Sequence, residues 1–274
     1  MKIAYLGPSG SFTHNVALKT FPKEELIPFS NITEVIKAYE SHQVTYAIVP
    51  VENSIEGSVH ETLDYLFHQA KIHAVAEIIQ HIKQQLMVKN DGEHIEKIFS
   101  HPQAIAQGKK YITKHYPEAK IEITASTAYA ARYVSEHPKE AFAAIAPEAA
   151  AKEYGLTIIA NDIQEMEENF TRFWVLGEQK PEIQLKKIDR KLSLALTLPD
   201  NLPGALYKAL STFAWRGIDL TKIESRPLKT TLGEYFFIID LDNENNQLVD
   251  FALEELAVIG ISYKILGDYP VFQL

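Results

Sequence analysis

Residues 46–59 read YAIVPVENSIEGSV, and this stretch decides the fold of the N-terminal part of the chain. Residues 46–51 form a near-continuous apolar run, which is typical of a strand covered on both faces. The sequence turns polar at Glu52, and residues 59–67 then carry apolar side chains at helical spacing. A buried strand that runs into a polar loop and a helix is the repeating unit of an α/β fold.

The same alternation extends in both directions from this stretch. Upstream, the pattern predicts strands at residues 3–6 and 26–29 and helices at 12–20 and 32–39. Downstream, after a β-rich stretch at 72–88, it predicts strands at 97–100, 121–124, 141–145 and 171–176, and helices at 103–115, 127–135 and 147–153. We therefore expect two α/β lobes, each with helices on both faces of a parallel or mixed sheet. A cleft between two such lobes is a common ligand site.

The C-terminal residues follow a different pattern. Residues 178–190 are polar and contain Pro181, so we interpret this segment as a linker. Beyond it we expect strands at 191–198, 220–226, 234–241 and 262–266, and helices at 204–215 and 248–258. This order, βαββαβ, is that of a ferredoxin-like domain.

Length and charge limit the class of protein. The chain has 274 residues and a formal net charge of −9, from 27 Lys and Arg against 36 Asp and Glu. At about 150 residues per domain this length predicts two domains. The acidic excess argues against a nucleic-acid partner, and no apolar run is long enough for a signal peptide or a membrane span. We predict a cytoplasmic protein with no membrane partner.

Cysteine is absent from the sequence, which excludes thiolate nucleophiles, cysteine zinc sites and iron–sulfur ligation. The ten His residues show neither HxxxH nor HExxH spacing, and no GxSxG motif is present. We therefore predict that the protein has no metal and no cofactor.

Five polar clusters fall where predicted strands end, and these are the candidates for a site. They are GPSGSFTH (7–14), PVENSIEGSV (50–59), FSHPQA (99–104), TAST (124–127) and NFTRFWVLG (169–177). Turn glycines and N-capping side chains such as Ser11 account for several of them without any function. Glu52, Asn53 and Ser54 are harder to explain as a loop, because they follow a buried strand at the edge where α/β sheets bind ligands.

Arg172 is the one cation within these clusters, and it begins an otherwise apolar strand. Arginine is rarely buried without a partner, and its planar fork fits a carboxylate. Two interpretations remain open from the residues alone: a ligand carboxylate, or a structural ion pair with Glu52 or Glu56.

Together these motifs resemble those of the prephenate dehydratases of phenylalanine biosynthesis. GPSGSFTH, PVENSIEGSV, SHPQA and TRFWVLG occur in the family's order, and GAL (204–206) and ESRP (224–227) resemble the signature of the family's C-terminal ACT domain. Ser11 is a mild departure, where many members have Thr. Because GPSGSFTH begins at residue 7, the resemblance is to the monofunctional bacterial form, without an N-terminal chorismate mutase domain.

The resemblance implies a fold and an activity. It implies a two-lobed, periplasmic-binding-protein-like (type II) catalytic domain at 1–180, a linker at 181–190 and an ACT regulatory domain at 191–274. Lobe one would comprise residues 1–75 and 160–180, and lobe two residues 76–159. The implied reaction is the decarboxylating dehydration of prephenate to phenylpyruvate, with L-phenylalanine as allosteric effector. ACT domains typically pair side by side, so a homodimer or homotetramer is expected.

The resemblance also implies roles for individual residues. Thr171 matches the family's catalytic threonine, Glu52 is a candidate proton relay, and Arg172 is assigned to a substrate carboxylate. Further substrate-binding residues are expected at Ser11, Asn53, Ser54, Gln103, Ser126 and Thr127. The phenylalanine site is expected at Gly204, Ala205, Leu206, Glu224, Ser225, Arg226 and Pro227.

Two alternative functions stay open from the sequence. The chain could prefer arogenate, the aminated substrate, as plant relatives do. It could also be a non-catalytic two-lobed sensor, although the pair Thr171 and Arg172, with the other motifs intact, argues against a mere binding cleft. For the C-terminal part, the alternative to an effector site is a purely dimerising ferredoxin-like domain.

Overall fold

The computed structural model describes residues 1–89, 94–198, 203–228 and 235–274. The chain divides into two compact units. The first unit comprises Met1–Thr62, Ile79–Phe173 and Leu274, and the second comprises Leu63–Ile78 and Trp174–Gln273.

The first unit contains a parallel sheet built around the N-terminal strand. Its elements are β1 (Lys2–Leu6), α1 (Phe12–Thr20), β2 (Glu25–Phe29), α2 (Ile32–Glu40), β3 (Tyr46–Asn53) and β4 (Gly57–Ser58). β1 lies between β2 and β3 and is parallel to both, while β4 folds back antiparallel onto β3. Ala47, Ile48 and Val49 are fully buried, as the apolar run of β3 predicts.

A mixed five-stranded sheet forms the other half of the first unit. Its strands are β6 (Gln85–Val88), β7 (Lys97–Ser100), β8 (Lys120–Ile123), β9 (Phe142–Ala146) and β10 (Thr157–Ala160), in the order β10-β6-β9-β7-β8. Its helices are α4 (Pro102–Gln107), α5 (Lys109–His115), α6 (Thr127–Glu136) and α7 (Glu148–Tyr154). Met87 packs with residues of α6 and α7, whereas Leu86 and Val88 pack with residues of α4 and α5. Helices therefore cover both faces, and the predicted α/β class is confirmed.

Three further elements have residues in both units. They are α3 (His60–His68), β5 (His73–His81) and β11 (Phe170–Gly177). α3 follows β4 directly along the chain, and β11 carries the TRFWVLG motif.

The second unit contains an antiparallel sheet with two helices. The remaining elements are β12 (Lys186–Thr197), α8 (Ala205–Ala214), β13 (Leu220–Pro227), β14 (Tyr235–Asp242), α9 (Asn246–Val258) and β15 (Ser262–Gln273). The strand order is β13-β14-β12-β15, with each neighbouring pair antiparallel. Leu194, Ile239 and Phe213 form the centre of a core between this sheet and the two helices. The predicted βαββαβ order is observed; Glu234, the first residue of one predicted strand, lies outside the described residues.

The structure corrects the predicted linker and the predicted lobe boundary. Residues 186–190 belong to β12, where Lys186 pairs with Gln273 and Arg190 with Pro270, so a linker over 181–190 is wrong in its second half. Polar side chains do not prevent strand pairing, because the ladder is made by backbone groups. Leu63–Ile78 belongs to the second unit and not to the first lobe, since the Phe67 ring stacks on Phe236 with centroids 3.7 Å apart.

The predicted helix at 103–115 is two helices, α4 and α5, that meet at Gly108. Gly108 ends α4 and begins α5, and a Cβ at this position would lie 3.1 Å from the Ile163 side chain. Close packing at the break therefore explains why a residue without a side chain stands there. In the part of the chain that the structure describes, no helix is long and apolar enough to cross a membrane.

Candidate active site

The turn between β1 and α1 places Ser11 at the start of the helix. Its Oγ accepts a hydrogen bond from the His14 N–H at 3.1 Å and donates one to the Leu6 carbonyl at 3.2 Å. Ser11 is thus the N-cap of α1, as the capping interpretation predicts. The next residue, Phe12, lines the cavity described below.

His14 fixes the same turn from inside. It is 8% exposed, its Nδ1 accepts from the Gly10 N–H at 2.9 Å, and its ring stacks on Tyr5. Burial lowers the pKa of His14, and the negative charge of Glu153 acts in the opposite direction. Nδ1 must be unprotonated to accept, so the neutral ring is the form that closes the turn.

Gly10 brings this turn against α7, in the other half of the first unit. Its φ is +78°, and a Cβ there would lie 3.1 Å from the Ala150 Cα and 3.0 Å from the Tyr154 ring. The Tyr154 hydroxyl also donates to the Ser9 carbonyl at 2.6 Å. A side chain at residue 10 would therefore meet both backbone strain and a close neighbour.

Asn53 and Thr171 meet where β3 and β11 lie side by side. The Asn53 Nδ2 donates to the Thr171 Oγ1 at 2.9 Å, to the Asn169 Oδ1 at 2.8 Å and to the Phe170 carbonyl at 3.2 Å. Ser54 continues the contact through backbone pairing, and its Oγ accepts from the Phe170 N–H at 3.0 Å. The predicted residues Asn53, Ser54 and Thr171 are therefore brought together.

Glu52 and Arg172 form the neighbouring cross-strand pair. An Arg172 Nη1 donates to the Glu52 Oε2 at 2.6 Å, and both side chains are largely buried. Successive residues of a strand project to opposite faces, so this ion pair lies on the other face of the sheet from the Asn53–Thr171 contact. The ion-pair interpretation that the sequence left open is the one this geometry favours.

A cavity of about 250 Å³ collects the other predicted substrate-binding side chains. Gln103, Ser126 and Thr127 line it, and Ser126 also caps α6 by accepting from the Tyr129 N–H at 3.0 Å. The remaining lining residues are Phe12, Ile82, Gln84, His101, Ala104, Gln107 and Ala125.

One chain of hydrogen bonds connects this cavity with Thr171. The N–H of the lining residue Ile82 donates to the Asn169 carbonyl at 2.7 Å, and Asn169 accepts from Asn53 through its side chain. Ile82 and Asn169 thus connect the cavity lining with Asn53 and Thr171 within the first unit, although Thr171 is not itself one of the lining residues.

Sequence reasoning missed three amide side chains of this site. Gln84 and Gln107 face the cavity and bond to each other at 3.2 Å, and Asn169 is fully buried. The available signal was the polar run QHIKQQ at residues 80–85 inside a stretch otherwise typical of strand. Buried amides need partners, so such a run indicates a polar site or a dense hydrogen-bond network.

The site offers hydroxyl, amide and backbone N–H groups. Within the described ranges, no three His, Asp or Glu side chains come together in a way that could hold a metal ion. Hydroxyl and amide donors suit a small ligand rich in oxygen atoms.

The predicted effector residues lie in the second unit. Gly204 has φ +80° and is the N-cap of α8, where the described residues provide no side-chain cap, and Ala205 and Leu206 form the helix start. Glu224, Ser225, Arg226 and Pro227 end β13. The Arg226 guanidinium bonds to Asp64 of α3 at 2.9 Å and lies 3.8 Å from Glu224. The structure thus gives Arg226 a partner inside its own unit.

The family model and the three relatives described next all carry the name prephenate dehydratase. Residues 3–181 match the family model described as prephenate dehydratase. Prephenate dehydratase of Lactococcus lactis subsp. lactis is 52% identical over 276 residues, which cover 100% of this chain and 99% of that protein. The solved prephenate dehydratase of Streptococcus mutans is 55% identical, with 99% of each chain covered and a TM-score of 0.66. The enzyme of Arthrobacter aurescens, solved in complex with L-Phe, is 32% identical, with a TM-score of 0.85 over 98% of this chain and 89% of that one.

Proposed function

The chain belongs to the prephenate dehydratase family, and from this premise we propose that it converts prephenate to phenylpyruvate, water and carbon dioxide. Within the site, the observation that carries the proposal is the Thr171 hydroxyl, which accepts a hydrogen bond from the Asn53 amide at 2.9 Å. No covalent intermediate is required, because loss of the ring carboxylate and the ring hydroxyl leaves an aromatic ring.

Thr171 acts as a positioned hydrogen-bond donor to the departing hydroxyl group. As the bond from the ring carboxylate to the ring breaks, its electron pair enters the ring and the carbon–oxygen bond to the hydroxyl breaks. A threonine hydroxyl is too weakly acidic to supply a free proton at neutral pH, so its effect is electrostatic and geometric. The proton that turns hydroxide into water is relayed by solvent, since the Glu52 carboxylate already accepts from Arg172.

The pyruvyl carboxylate of the substrate is assigned to the donors of the cavity, and the ring carboxylate is left with few donors. Gln103, Ser126 and Thr127 supply donors, with Gln107 added from the geometry. Ser11 and Ser54 act through the backbone they hold, Asn53 holds the Thr171 hydroxyl, and Arg172 with Glu52 ties β3 to β11. This division supports decarboxylation, because a weakly solvated ring carboxylate loses carbon dioxide more readily.

Replacing Thr171 tests the proposed function. We expect Thr171→Ala to lower kcat by about 10²-fold or more, the effect of removing one preorganised donor, with KM nearly unchanged. Thr171→Ser keeps the hydroxyl and should retain much of the activity. Formation of phenylpyruvate from prephenate is followed by its ultraviolet absorbance.

Thr212→Ala is the matched control, because Thr212 is buried in α8 of the second unit and its hydroxyl donates to the Ala209 carbonyl. Wild-type kcat in Thr171→Ala would contradict the assignment. Formation of phenylalanine from arogenate at a higher kcat/KM would identify the aminated substrate as the preferred one. No turnover of either compound would leave the non-catalytic sensor.

We further propose that L-phenylalanine regulates the enzyme through the second unit. The N–H groups at Ala205 and Leu206 suit an amino-acid carboxylate, because the N-cap Gly204 has no side chain to occupy them. Glu224 and Ser225 shape the pocket, while Arg226 holds β13 to α3. The coupling free energy between an effector site and an active site is typically about 1–3 kcal/mol. Unchanged turnover of prephenate at saturating phenylalanine would contradict the proposed regulation.

The proposal includes a cytoplasmic location and a homodimer or homotetramer. Apolar side chains exposed on the second unit support the self-association. They are Tyr207, Trp215, Phe251, Val258, Tyr263 and Ile265.

A further inference from the structure

We propose that Asn169 is a positioning residue for the reaction: acting through Asn53, it directs the proton of the Thr171 hydroxyl toward the substrate. The inference rests on the proposed function, because it concerns the hydroxyl assigned to the departing oxygen. It starts from a side chain that is fully buried and lies two residues before Thr171.

The orientation of the Asn53 amide is fixed by its own loop. Its Oδ1 accepts from the backbone N–H groups of Ile55 at 3.0 Å and Glu56 at 3.1 Å. An amide nitrogen could not accept these two bonds, so the oxygen faces the loop and the NH₂ group faces β11.

Asn169 determines how that NH₂ group is shared. Two N–H bonds meet three acceptors: the Asn169 Oδ1 at 2.8 Å, the Thr171 Oγ1 at 2.9 Å and the Phe170 carbonyl at 3.2 Å. With Asn169 accepting one N–H, the geometry directs the other to Thr171. Without Asn169, the NH₂ group loses its shortest bond and can tilt toward the Phe170 carbonyl, so the direction of its bond to Thr171 is no longer fixed.

The bond from Asn53 decides where the hydroxyl proton points. A hydroxyl has one donor and two acceptor sites, and Asn53 occupies one of the acceptor sites of the Thr171 Oγ1. Asn53 offers no acceptor on this side, because its oxygen faces the loop. The hydroxyl proton therefore points away from Asn53 and is preorganised to donate to a ligand oxygen.

Asn169 is itself held in place, and its own donor is unused. Its backbone carbonyl accepts from the Ile82 N–H at 2.7 Å, while its side-chain Nδ2 has no hydrogen-bond partner among the described residues. A buried amide with an unsatisfied donor lowers stability. An acceptor aimed at Asn53 explains why this position carries an amide despite that cost.

Two substitutions separate the acceptor from the shape of the side chain. Asn169→Leu removes the acceptor, and we expect kcat to fall about 10- to 100-fold, a fraction of the loss for a direct donor, with KM within about threefold. Asn169→Asp keeps an acceptor oxygen at the same place and should restore most of kcat. Asn169→Ala takes the place of Asn169→Leu if the leucine variant folds poorly by circular dichroism.

A double-mutant cycle with Asn53 distinguishes this role from a structural one. In an Asn53→Ala background the relay is already broken, so Asn169→Leu should change kcat by less than about twofold, whereas independent structural effects multiply. Asn243→Leu is the control, because Asn243 is a buried asparagine of the second unit that bonds to Asp268; it should lower the melting temperature but not kcat.

The outcomes separate this inference from the proposed function. A wild-type protein that does not turn over prephenate overturns the function. If the wild type does turn over prephenate, three results would overturn only the role of Asn169. They are an unchanged kcat in Asn169→Leu, a rise in KM alone in that variant, and multiplicative effects in the double-mutant cycle.

Discussion

His14 shows how one neutral side chain holds a functional turn. Its Nδ1 accepts from the Gly10 N–H, and the same turn presents Ser11 at the start of α1. Protonation would replace this acceptor by a second donor, so the turn would lose its internal bond. Burial lowers the pKa of His14, which is consistent with a folded state that favours the neutral ring.

We expect stability to depend on pH through His14. In the unfolded chain His14 takes up a proton near its ordinary pKa of 6.5, whereas in the folded protein it does so only at a lower pH. The contribution of His14 to the free energy of unfolding is therefore complete above pH 6.5 and is lost as pH falls through the lower folded pKa. His14→Asn keeps an acceptor but does not titrate. Its melting temperature should fall less between pH 7.5 and 5.5 than that of the wild type. Equal slopes for the two proteins would contradict this role.

The partner of Arg172 could not be predicted from the sequence. The sequence identified it as unusual in a strand and offered two partners, a ligand carboxylate or a nearby glutamate. The choice depended on which residue of β3 stands opposite Arg172, and strand register is not a local property of the sequence. The structure places Glu52 there, at 2.6 Å, so an internal partner is present before any ligand binds.

At the scale of elements, local patterns were predicted well and pairing was not. The alternation that predicts β1, β3 and α1 is a periodicity of neighbouring residues, and those elements form where expected. β15 was expected to end at residue 266 but continues to Gln273, because β12 offers a partner along its whole length. The close packing around Gly108, where α4 and α5 meet, likewise involves Ile163, which is distant in sequence.

The same limit applies to the site. The rule that ligands bind at the carboxyl edge of α/β sheets indicated Asn53, and the resemblance to the prephenate dehydratases indicated Thr171. It could not predict that both the oxygen and the nitrogen of the Asn53 amide would be hydrogen-bonded, or that Asn169 would accept from the nitrogen. Those facts depend on side-chain orientation, which only the folded chain defines.

The C-terminal end of helix α3 is capped by a lysine of the second unit. The Lys264 Nζ donates to the carbonyls of Leu66 at 2.7 Å, Phe67 at 3.0 Å and Ala70 at 2.8 Å. The last carbonyls of a helix have no partners within it, and a cation there also interacts favourably with the helix dipole. Burial lowers the pKa of Lys264, so these three bonds form at some cost in hydration.

We expect Lys264→Met to destabilise the protein. The substitution keeps the length of the side chain but leaves the carbonyls without their charged donor, which should lower the free energy of unfolding by about 1–3 kcal/mol. Urea denaturation measures the change. Lys71→Met is the control, because Lys71 is exposed in the adjoining segment and should have little effect. Equal stability of the two variants would show that the carbonyls find other partners.

At the scale of the whole molecule, the net charge of −9 opposes an anionic substrate. The site answers this locally, with hydroxyl and amide donors around one cavity and with Arg172 neutralised by Glu52. Neutral donors bind an anion without adding a charge that would have to be compensated when the cavity is empty. On the proposed assignment, recognition of prephenate depends on the geometry of these donors and not on the overall field.

The same charge bears on self-association, because two copies repel each other. On the second unit, Phe251 and Val258 lie two turns apart on one face of α9, and Tyr263 and Ile265 project from the same side of β15. Large apolar patches on a protein surface mark interaction sites. We therefore expect a homodimer held by apolar contact, and salt should strengthen it by screening the repulsion.

Light scattering coupled to size exclusion tests this directly. The wild type should elute at a multiple of the 31.0 kDa chain mass, and Val258→Glu, which places a charge on a residue 85% exposed in the single chain, should return it to the mass of one chain. Ile123→Glu is the control, because Ile123 is equally apolar and 71% exposed but lies on β8 of the first unit. Two outcomes would contradict a dimer contact at the apolar face of α9 and β15. In the first, Ile123→Glu dissociates the protein to single chains and Val258→Glu does not. In the second, the wild type is a single chain at all salt concentrations.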